Sequence, residues 1–581
     1  MKALTRVVAV FCIFGAACIA QTQQSRTSTS AAGEWQIAGI VVDSISNQPL
    51  SGVSVLIAPV ENRDSTRTTK TGADGRFLFS RVAKGKFSLA ANRRGYPTQG
   101  FNQHGGYATA IVTGPALDTE HLIFRLSPEA TIRGSVTDEE NESVQNAMVR
   151  LFASGIDDGR LGTRMVRMAS TDDRGAYSFA HLPEGTYYVA VSGQPWYATL
   201  SQPRFRRRFE VRQQAQSVRD ELSAPTAKMD DDDAAELDKV YPLTFYGGSL
   251  SSSEATAIDL NPGQSVTADI AVSAVPNVHL HIPIQQNPTS AQLSTDANPQ
   301  TPQRMMVSNL RQPPRVELFQ SVFEGTLIPA ATVMGGSSEG FDISLAPGNY
   351  FLQTSSRGDS EPGGTYQEID LAADMDLPPS STPTGSVSGI AQFLGAKPPD
   401  SLVFFLANRQ TSQQYGTQLK GDGEFRIEEP IMPGKYEVAV GNSPGWYLQS
   451  ISATGARLSG RTLQVTGSEP VRLTVKVAHG LGQVDGVVMR EGKPWAGAMV
   501  VLVPRNAGNN AVLFRRDESD SDGTFTLRDV VPGNYNLIAI EGGWKLAWSD
   551  PRILQPYLKS AEAVQVAPGG KAQITVQAQN R

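Results

Sequence analysis

A short phrase recurs along this chain, and it limits the fold more than any other feature does. Asp74-Gly75-Arg76-Phe77 is followed, ten residues on from Gly75, by the glycine of Lys84-Gly85-Lys86-Phe87. Arg174-Gly175-Ala176-Tyr177 leads to Pro183-Glu184-Gly185-Thr186-Tyr187, Asp422-Gly423-Glu424-Phe425 to Pro433-Gly434-Lys435-Tyr436, and Asp522-Gly523-Thr524-Phe525 to Pro532-Gly533-Asn534-Tyr535. A weaker copy, Glu339-Gly340-Phe341 and Pro347-Gly348-Asn349-Tyr350, lies in the middle. A chain that repeats one supersecondary unit is an array of small modules before it is anything else.

Each copy follows one script. An alternating strand built around a glycine opens the unit, as in Ile37-Ala38-Gly39-Ile40, Ile132-Arg133-Gly134-Ser135, Val387-Ser388-Gly389-Ile390 and Val484-Asp485-Gly486-Val487. An apolar strand follows, such as Val53 to Ile57 or Met499 to Val503, and then the phrase. Its first glycine supplies a turn with positive φ, and its first aromatic begins a strand. The Pro-Gly pair turns the chain again, and Phe87, Tyr187, Tyr350, Tyr436 and Tyr535 start the next strand. Two inward aromatics flanking one hairpin anchor a small core. Closing strands such as His121 to Leu126 and Leu473 to Val477 complete the units. Period-2 alternation with β-branched residues and Gly/Pro punctuation predicts an all-β protein.

The expected organisation is a tandem array of about five small Greek-key β-sandwiches, elongated because the links between units are only a few residues long, as in Ser127-Pro128-Glu129. The units are placed at 35–127, 130–275 (with a polar insertion at 204–240), 276–378, 384–477 and 480–579. The middle unit is divergent, with no clear opening glycine strand. The stretch from Arg204 to Lys239 carries a basic cluster, Arg206 to Arg208, and an acidic run, Asp230 to Asp233, and has room for a helix. Gln285 to Arg315 reads as a Pro/Gln/Asn/Ser-rich loop.

The N-terminus has the layout of an export signal. Lys2 and Arg6 precede an apolar run from Val7 to Ile19 that is short for a membrane span, and Cys18-Ile19-Ala20 fits a cleavage site. Residues 1–20 are read as a cleaved signal peptide and 21–34 as a flexible leader. Both cysteines, Cys12 and Cys18, fall within the signal, so the mature chain is expected to have no disulfide and no transmembrane span. Cleavage is preferred over lipoprotein anchoring at Cys18, because the bulky residue expected three positions before a lipidated cysteine is missing. The chain is thus placed in the periplasm or outside the cell. A net charge of −6 and a pI of about 5.7 leave no basic footprint for nucleic acid.

The order of opening strand, apolar strand, D-G-x-F turn and P-G-x-Y hairpin resembles the carboxypeptidase regulatory-like domain. The resemblance implies a prealbumin-like sandwich related to transthyretin, Cna-B and starch-binding domains. It does not imply an enzyme, since in carboxypeptidases this domain sits beside a separate zinc domain that nothing here resembles. The isopeptide of Cna-B relatives needs a lysine in the opening strand, and the four clear openings have none.

Three groups of residues invite chemistry. His181-x-x-Glu184 has the spacing of two zinc ligands but falls on the repeated hairpin turn, where a plain turn histidine is expected. Glu518-x-Asp520-x-Asp522-Gly523, with Asp529 at a twelfth position, resembles a calcium loop, yet the same Asp-Gly turn recurs without the extra acids and reads as an incidental acidic turn. Arg357-Gly358-Asp359 spells an adhesion tripeptide and is treated as coincidence. No catalytic residue, metal or cofactor is therefore assigned.

The recurring aromatics are more informative. Tyr96, Trp196, Trp446 and Trp544 lie eleven or twelve residues after their hairpin glycines, with Tyr197, Tyr447 and Trp548 nearby. They are either plugs that close the sandwich ends or platforms for a ligand such as a sugar, and regularity favours the plug. The sequence thus points to a non-catalytic binding or structural protein of the bacterial cell envelope, with polysaccharide or an envelope protein as partner and an open oligomeric state. The alternatives are a carbohydrate-binding protein that uses the loop aromatics and an accessory subunit of a separate enzyme or transporter.

Overall fold

The computed structural model describes residues 34–198, 237–283, 315–334, 340–357, 362–377, 385–409, 411, 413–467, 469–508 and 510–581. The signal segment, most of the polar insertion, the Gln-rich stretch and the Gly358-Asp359 pair lie outside these residues. Strands joined by turns and loops dominate the described residues, and one α-helical turn, Pro551–Leu554, follows an Asp550 cap whose side chain accepts from Arg552 N.

Five sandwiches follow one topology. In domain 1 the opening strand Trp35–Asp43 runs antiparallel to the phrase strand Arg76–Val82 and parallel to the closing strand Leu122–Leu126. Facing this sheet is a second, ordered Arg67–Lys70, Ser54–Pro59, Gly85–Arg93, Tyr96–Gly100. Pairing the first strand in parallel with the last makes a Greek-key sandwich rather than a meander. Gly385–Leu394 in domain 4 and Gly482–Arg490 in domain 5 are flanked in the same way. The middle unit does have an opening strand: Val278–Ile282 pairs antiparallel with Phe341–Leu345 and parallel with Met375–Asp376. Its Val-His-Leu-His-Ile alternation places Val278, Leu280 and Ile282 in the core, with histidines where the other units have polar or small residues.

The register shows why each opening strand contains a glycine. Gly39, Gly134, Gly389 and Gly486 sit directly opposite the first aromatic of the phrase, Phe77, Tyr177, Phe425 and Phe525. A Cβ on Gly389 or Gly486 would fall 2.6 Å from that ring and still closer to a carbonyl of the closing strand. The missing side chain thus makes a slot that the cross-strand aromatic fills, and the parallel strand closes over it. In domain 2 the aromatic is tyrosine, and its hydroxyl donates to Ala268 O on the closing segment.

The second aromatic has its own lock. Tyr187, Tyr350 and Tyr436 donate their hydroxyls to the carbonyls of Pro183, Ala346 and Met432, four residues upstream, at 2.9, 2.8 and 2.7 Å. Tyr535 does the same to Val531 O. Each ring folds back over its own hairpin glycine, a tyrosine corner that pins the turn to the core. The turn itself is held by an aspartate: Asp74, Asp422 and Asp522 accept from the N–H two residues on. Where the phrase reads Arg174-Gly175, Asp172 accepts from both Arg174 N and Ala176 N instead.

The expected elongated arrangement is not what the structure shows. Domain 2 packs Phe152, Ala190, Leu243 and Phe245 on Val322, Phe323 and Ile328 of domain 3. The long hairpin Met148–Asp157 and Arg160–Ser170 reaches past its own sheet: Arg160 pairs with Glu437, Asp158 pairs with Arg409, and Ser549 N donates to Gly159 O. Domain 1 meets domain 5, so the array closes on itself. Short links limited where neighbours could go, but specific side-chain contacts between distant repeats decided the arrangement.

Two substitutions in domain 4 test this construction. Gly389→Ala should lower stability by about 2 kcal/mol or more, since neither a β-strand carbonyl nor a packed ring can give way cheaply. Tyr436→Phe should cost about 1 to 2 kcal/mol, because it leaves a buried carbonyl unpaired. Urea denaturation of the two variants checks both, and unchanged midpoints would show that the slot and the corner are ornamental.

Candidate functional site

The acidic residues that resembled a calcium loop lie at the seam between domains 1 and 5. Glu518, on the strand Arg515–Glu518, is 1% exposed and accepts from Thr109 Oγ1 at 3.1 Å and from His104 Nδ1 at 3.1 Å. The His104 ring lies flat on Trp544, with centroids 3.7 Å apart and planes 2° from parallel. Trp544 in turn donates its Nε1–H to Gly497 O. Asp520 takes the Lys86 ammonium at 2.6 Å on one oxygen and Ala110 N at 3.1 Å on the other. Ser521 completes the join, with its N–H donating to Ala110 O and its hydroxyl accepting from Val112 N. Arg516 covers the Tyr107 ring at 4.2 Å.

These groups are not arranged as a metal cage. Asp522 turns to its own Thr524 N, and Asp529 stands in left-handed backbone at φ 53° with its carbonyl accepting from Arg515. Among the described residues no group of three or more His, Cys, Asp or Glu is placed to hold a metal. Glu518 and Asp520 are therefore not incidental, since they dock domain 1, whereas Asp522 and Asp529 serve their own domain. His181 also stands in left-handed backbone, at φ 57°, and pairs with Glu129 across the link between domains 1 and 2.

Electrostatics at the seam follow from burial. Desolvation pushes the Asp517 carboxyl up to about 6, against the pull of hydrogen bonds from Thr526 and Glu518 N–H. Asp520 is also raised by burial, with Lys86 opposing. Arg516 is lowered by burial, and two of its guanidinium nitrogens find no partner.

The seven loop aromatics separate into buried or half-buried rings and one exposed ring. Trp446 is 7% exposed and set edge-on to Phe393, Tyr447 is buried beside it, and Trp548 is buried against the tip of the domain 2 hairpin. Buried rings offer no face to a ligand, so the platform reading is withdrawn for these three. Tyr96 is half-buried and donates its hydroxyl to Asp43 at 2.9 Å. This bond, with those from Ser46 and Ile45, holds the Asp43 carboxyl below its ordinary value despite burial. Trp544 is half-buried under His104. Trp196 differs: it is 72% exposed, edge-on to a half-buried Tyr197. Sequence spacing found all of these positions but not their exposure: Trp446 is covered within its own domain, whereas Trp544 and Trp548 also meet domains 1 and 2.

Comparison with known proteins matches part of this picture. Residues 36–112 and 131–209 match the family model of the carboxypeptidase regulatory-like domain, which covers domain 1 and much of domain 2. No curated protein matches the chain in sequence. Among solved structures the chain is similar to the full-length RrgB pilus protein of Streptococcus pneumoniae, at 10% identity over 77% of this chain and 97% of that one, with a TM-score of 0.14. It is similar to GBS52, the minor pilin of Streptococcus agalactiae, at 9% identity over 42% and 96% of the two chains (TM-score 0.20). The Bacillus anthracis TIE protein gives 9% identity over 76% and 72% (TM-score 0.17). TM-scores this low carry no argument about domain arrangement or function.

The Asp517 carboxyl makes one prediction about pH. Its folded-state value of about 6 lies above the ordinary 3.8, so the folded chain holds this proton more tightly than the unfolded chain does. Its favourable contribution is complete below about pH 4 and lost as the pH rises through about 6. Melting temperatures measured from pH 4 to 7 should fall more steeply for the native chain than for Asp517→Asn. Parallel curves would mean that this carboxyl does not report on the seam.

Proposed function

We propose that this chain, which carries carboxypeptidase regulatory-like domains, is an exported, non-catalytic binding and structural protein of the bacterial envelope whose five sandwiches act as one stiff body. One observation carries the reading. The cluster of titratable groups His104, Glu518, Asp520 and Lys86 is turned inward to join the first domain to the last. A general base or metal ligand must instead face an open position where substrate arrives. The Asp-Gly aspartates and most loop aromatics are likewise engaged with their own fold.

Export is supported by the n-region and apolar run of residues 1–20 and by the confinement of both cysteines to that stretch. Among the described residues no helix is long and apolar enough to cross a membrane. Binding is supported by a cleft between domains 2 and 3, which Trp196 lines.

Purified mature chain should show no turnover of peptide or glycoside substrates, with or without added divalent metal, and should fractionate outside the cytoplasm. Peptidase or glycosidase activity that disappears on chelation would overturn the non-catalytic reading.

A further inference from the structure

A cleft of about 560 Å³ opens between domains 4 and 5, a size suited to a small ligand. Arg461 lines it from domain 4, on the turn between the strands Arg457–Ser459 and Thr462–Val465. Arg505 lines it from domain 5, just after the strand Met499–Pro504. Backbone bonds hold both in place. Val438 N donates to Arg461 O at 2.9 Å, and Arg505 N donates at 3.1 Å to Asn534 O on the Pro-Gly hairpin of domain 5. One Nη of the half-buried Arg461 donates to Leu448 O. Among the described residues its Nε and other Nη have no partner, and neither is buried, so the open side of a fixed guanidinium faces free space.

The charges at this cleft are of one sign. Burial pushes Arg461 down to about 10, with the Tyr535 phenol opposing and the Arg515 guanidinium adding to the fall. Arg461 is still a cation at neutral pH. The nitrogens of Arg515 are taken by the carbonyls of Val512, Phe514 and Asp529, and the Asp529 and Asp158 charges act on it. No carboxylate among the described residues acts on Arg461 or lines the cleft. Within the lining stretches 448–451, 460–461, 504–513 and 532–535, only Asn509 lies outside the described residues, and it carries no charge. Two guanidinia brought from different domains to one opening, with a third behind, raise the local potential that an anion meets. The exposed residues Gln449, Ser450 and Asn534 bring amides and a hydroxyl to the same opening.

We propose that this cleft binds the phosphate monoester of a small sugar or polyol, with the phosphate between Arg461 and Arg505 and the hydroxyls on the neighbouring amides. Charge selects phosphate over carboxylate. A monoester is close to dianionic at neutral pH and matches two guanidinia, whereas a carboxylate matches one. Lining selects an organic ester over the bare ion, because primary amides both donate and accept, as ligand hydroxyls require.

The inference rests on the binding reading above in that the ester is held and not cleaved. Calorimetry on the intact mature chain, at neutral pH and low salt, tests it with glucose 6-phosphate, glucose, glucuronate and inorganic phosphate. Sedimentation with vesicles of phosphatidylcholine and phosphatidic acid tests a lipid source of the same monoester. Glucose 6-phosphate should bind about tenfold or more tightly than glucuronate or inorganic phosphate, and glucose should not bind. Arg461→Gln and Arg505→Gln should each weaken glucose 6-phosphate by about tenfold or more. Arg94→Gln, on the exposed surface of domain 1, should leave its affinity unchanged. Arg505 is exposed and bonded only through its backbone, so that variant decides the matter even where Arg461→Gln fails to fold. Failure of glucose 6-phosphate to bind, equal binding of glucuronate or inorganic phosphate, unchanged affinity in Arg505→Gln, or binding to the vesicles alone overturns the assignment. Release of inorganic phosphate from the ester would overturn the non-catalytic reading as well, whereas absence of binding without turnover sinks this inference alone.

Discussion

The tip of one hairpin joins domain 2 to domains 4 and 5. Ile156 to Arg160 projects from domain 2 into the space between domains 4 and 5, where Gly159 lies against Trp548 and Ser549. A Cβ on Gly159 would come within 2.7 Å of both, and its φ of +81° suits glycine alone. The flanking ion pairs, Arg160 with Glu437 and Asp158 with Arg409, are partly exposed and add little individually. Close backbone approach and burial of Ile156 and Trp548 do more, and the charges fix register. Domain 1 has no such reach, since its corresponding strands Ser54–Pro59 and Arg67–Lys70 are much shorter.

The domain 1–5 seam works on a different principle. It is polar, and it tolerates buried carboxylates because each has donors assigned: Glu518 has Thr109 and His104, and Asp520 has Lys86 and Ala110 N–H. Removing one partner would strand a buried charge, which is why such seams are specific even when their net stabilisation is modest. The same logic read in reverse marks Arg150. Among the described residues its partners are one hydroxyl and one distant carbonyl.

What the sequence disclosed divides along the line between local and long-range forces. The Asp-Gly turn, the Pro-Gly hairpin and both aromatics of the phrase are local, and each occupies the place its neighbours dictate. The opening strand of domain 3 escaped the motif because His279 and His281 stand where a glycine was sought, although the alternation of Val278, Leu280 and Ile282 was present. Glu518 and Asp520 looked like a loop of ligands because their partners lie more than 400 positions away, as the separation of 414 between His104 and Glu518 shows. The cleft between domains 2 and 3 joins Gln145 with Tyr350 and was equally invisible. Among the aromatics, spacing identified the loops but not the burial, which ranges from Trp548, covered in part by the domain 2 hairpin, to the exposed Trp196.

Closure into one body is the claim on which the rest depends, and small-angle scattering of the mature chain addresses it directly. A chain of this length folded as a single globule has a radius of gyration of about 25 Å, and five docked sandwiches should give a value near ~30 Å with a bounded, bell-shaped distance distribution. A radius of roughly 50 Å with a long tail, as expected for beads laid end to end, would contradict the account and return the protein to a rod.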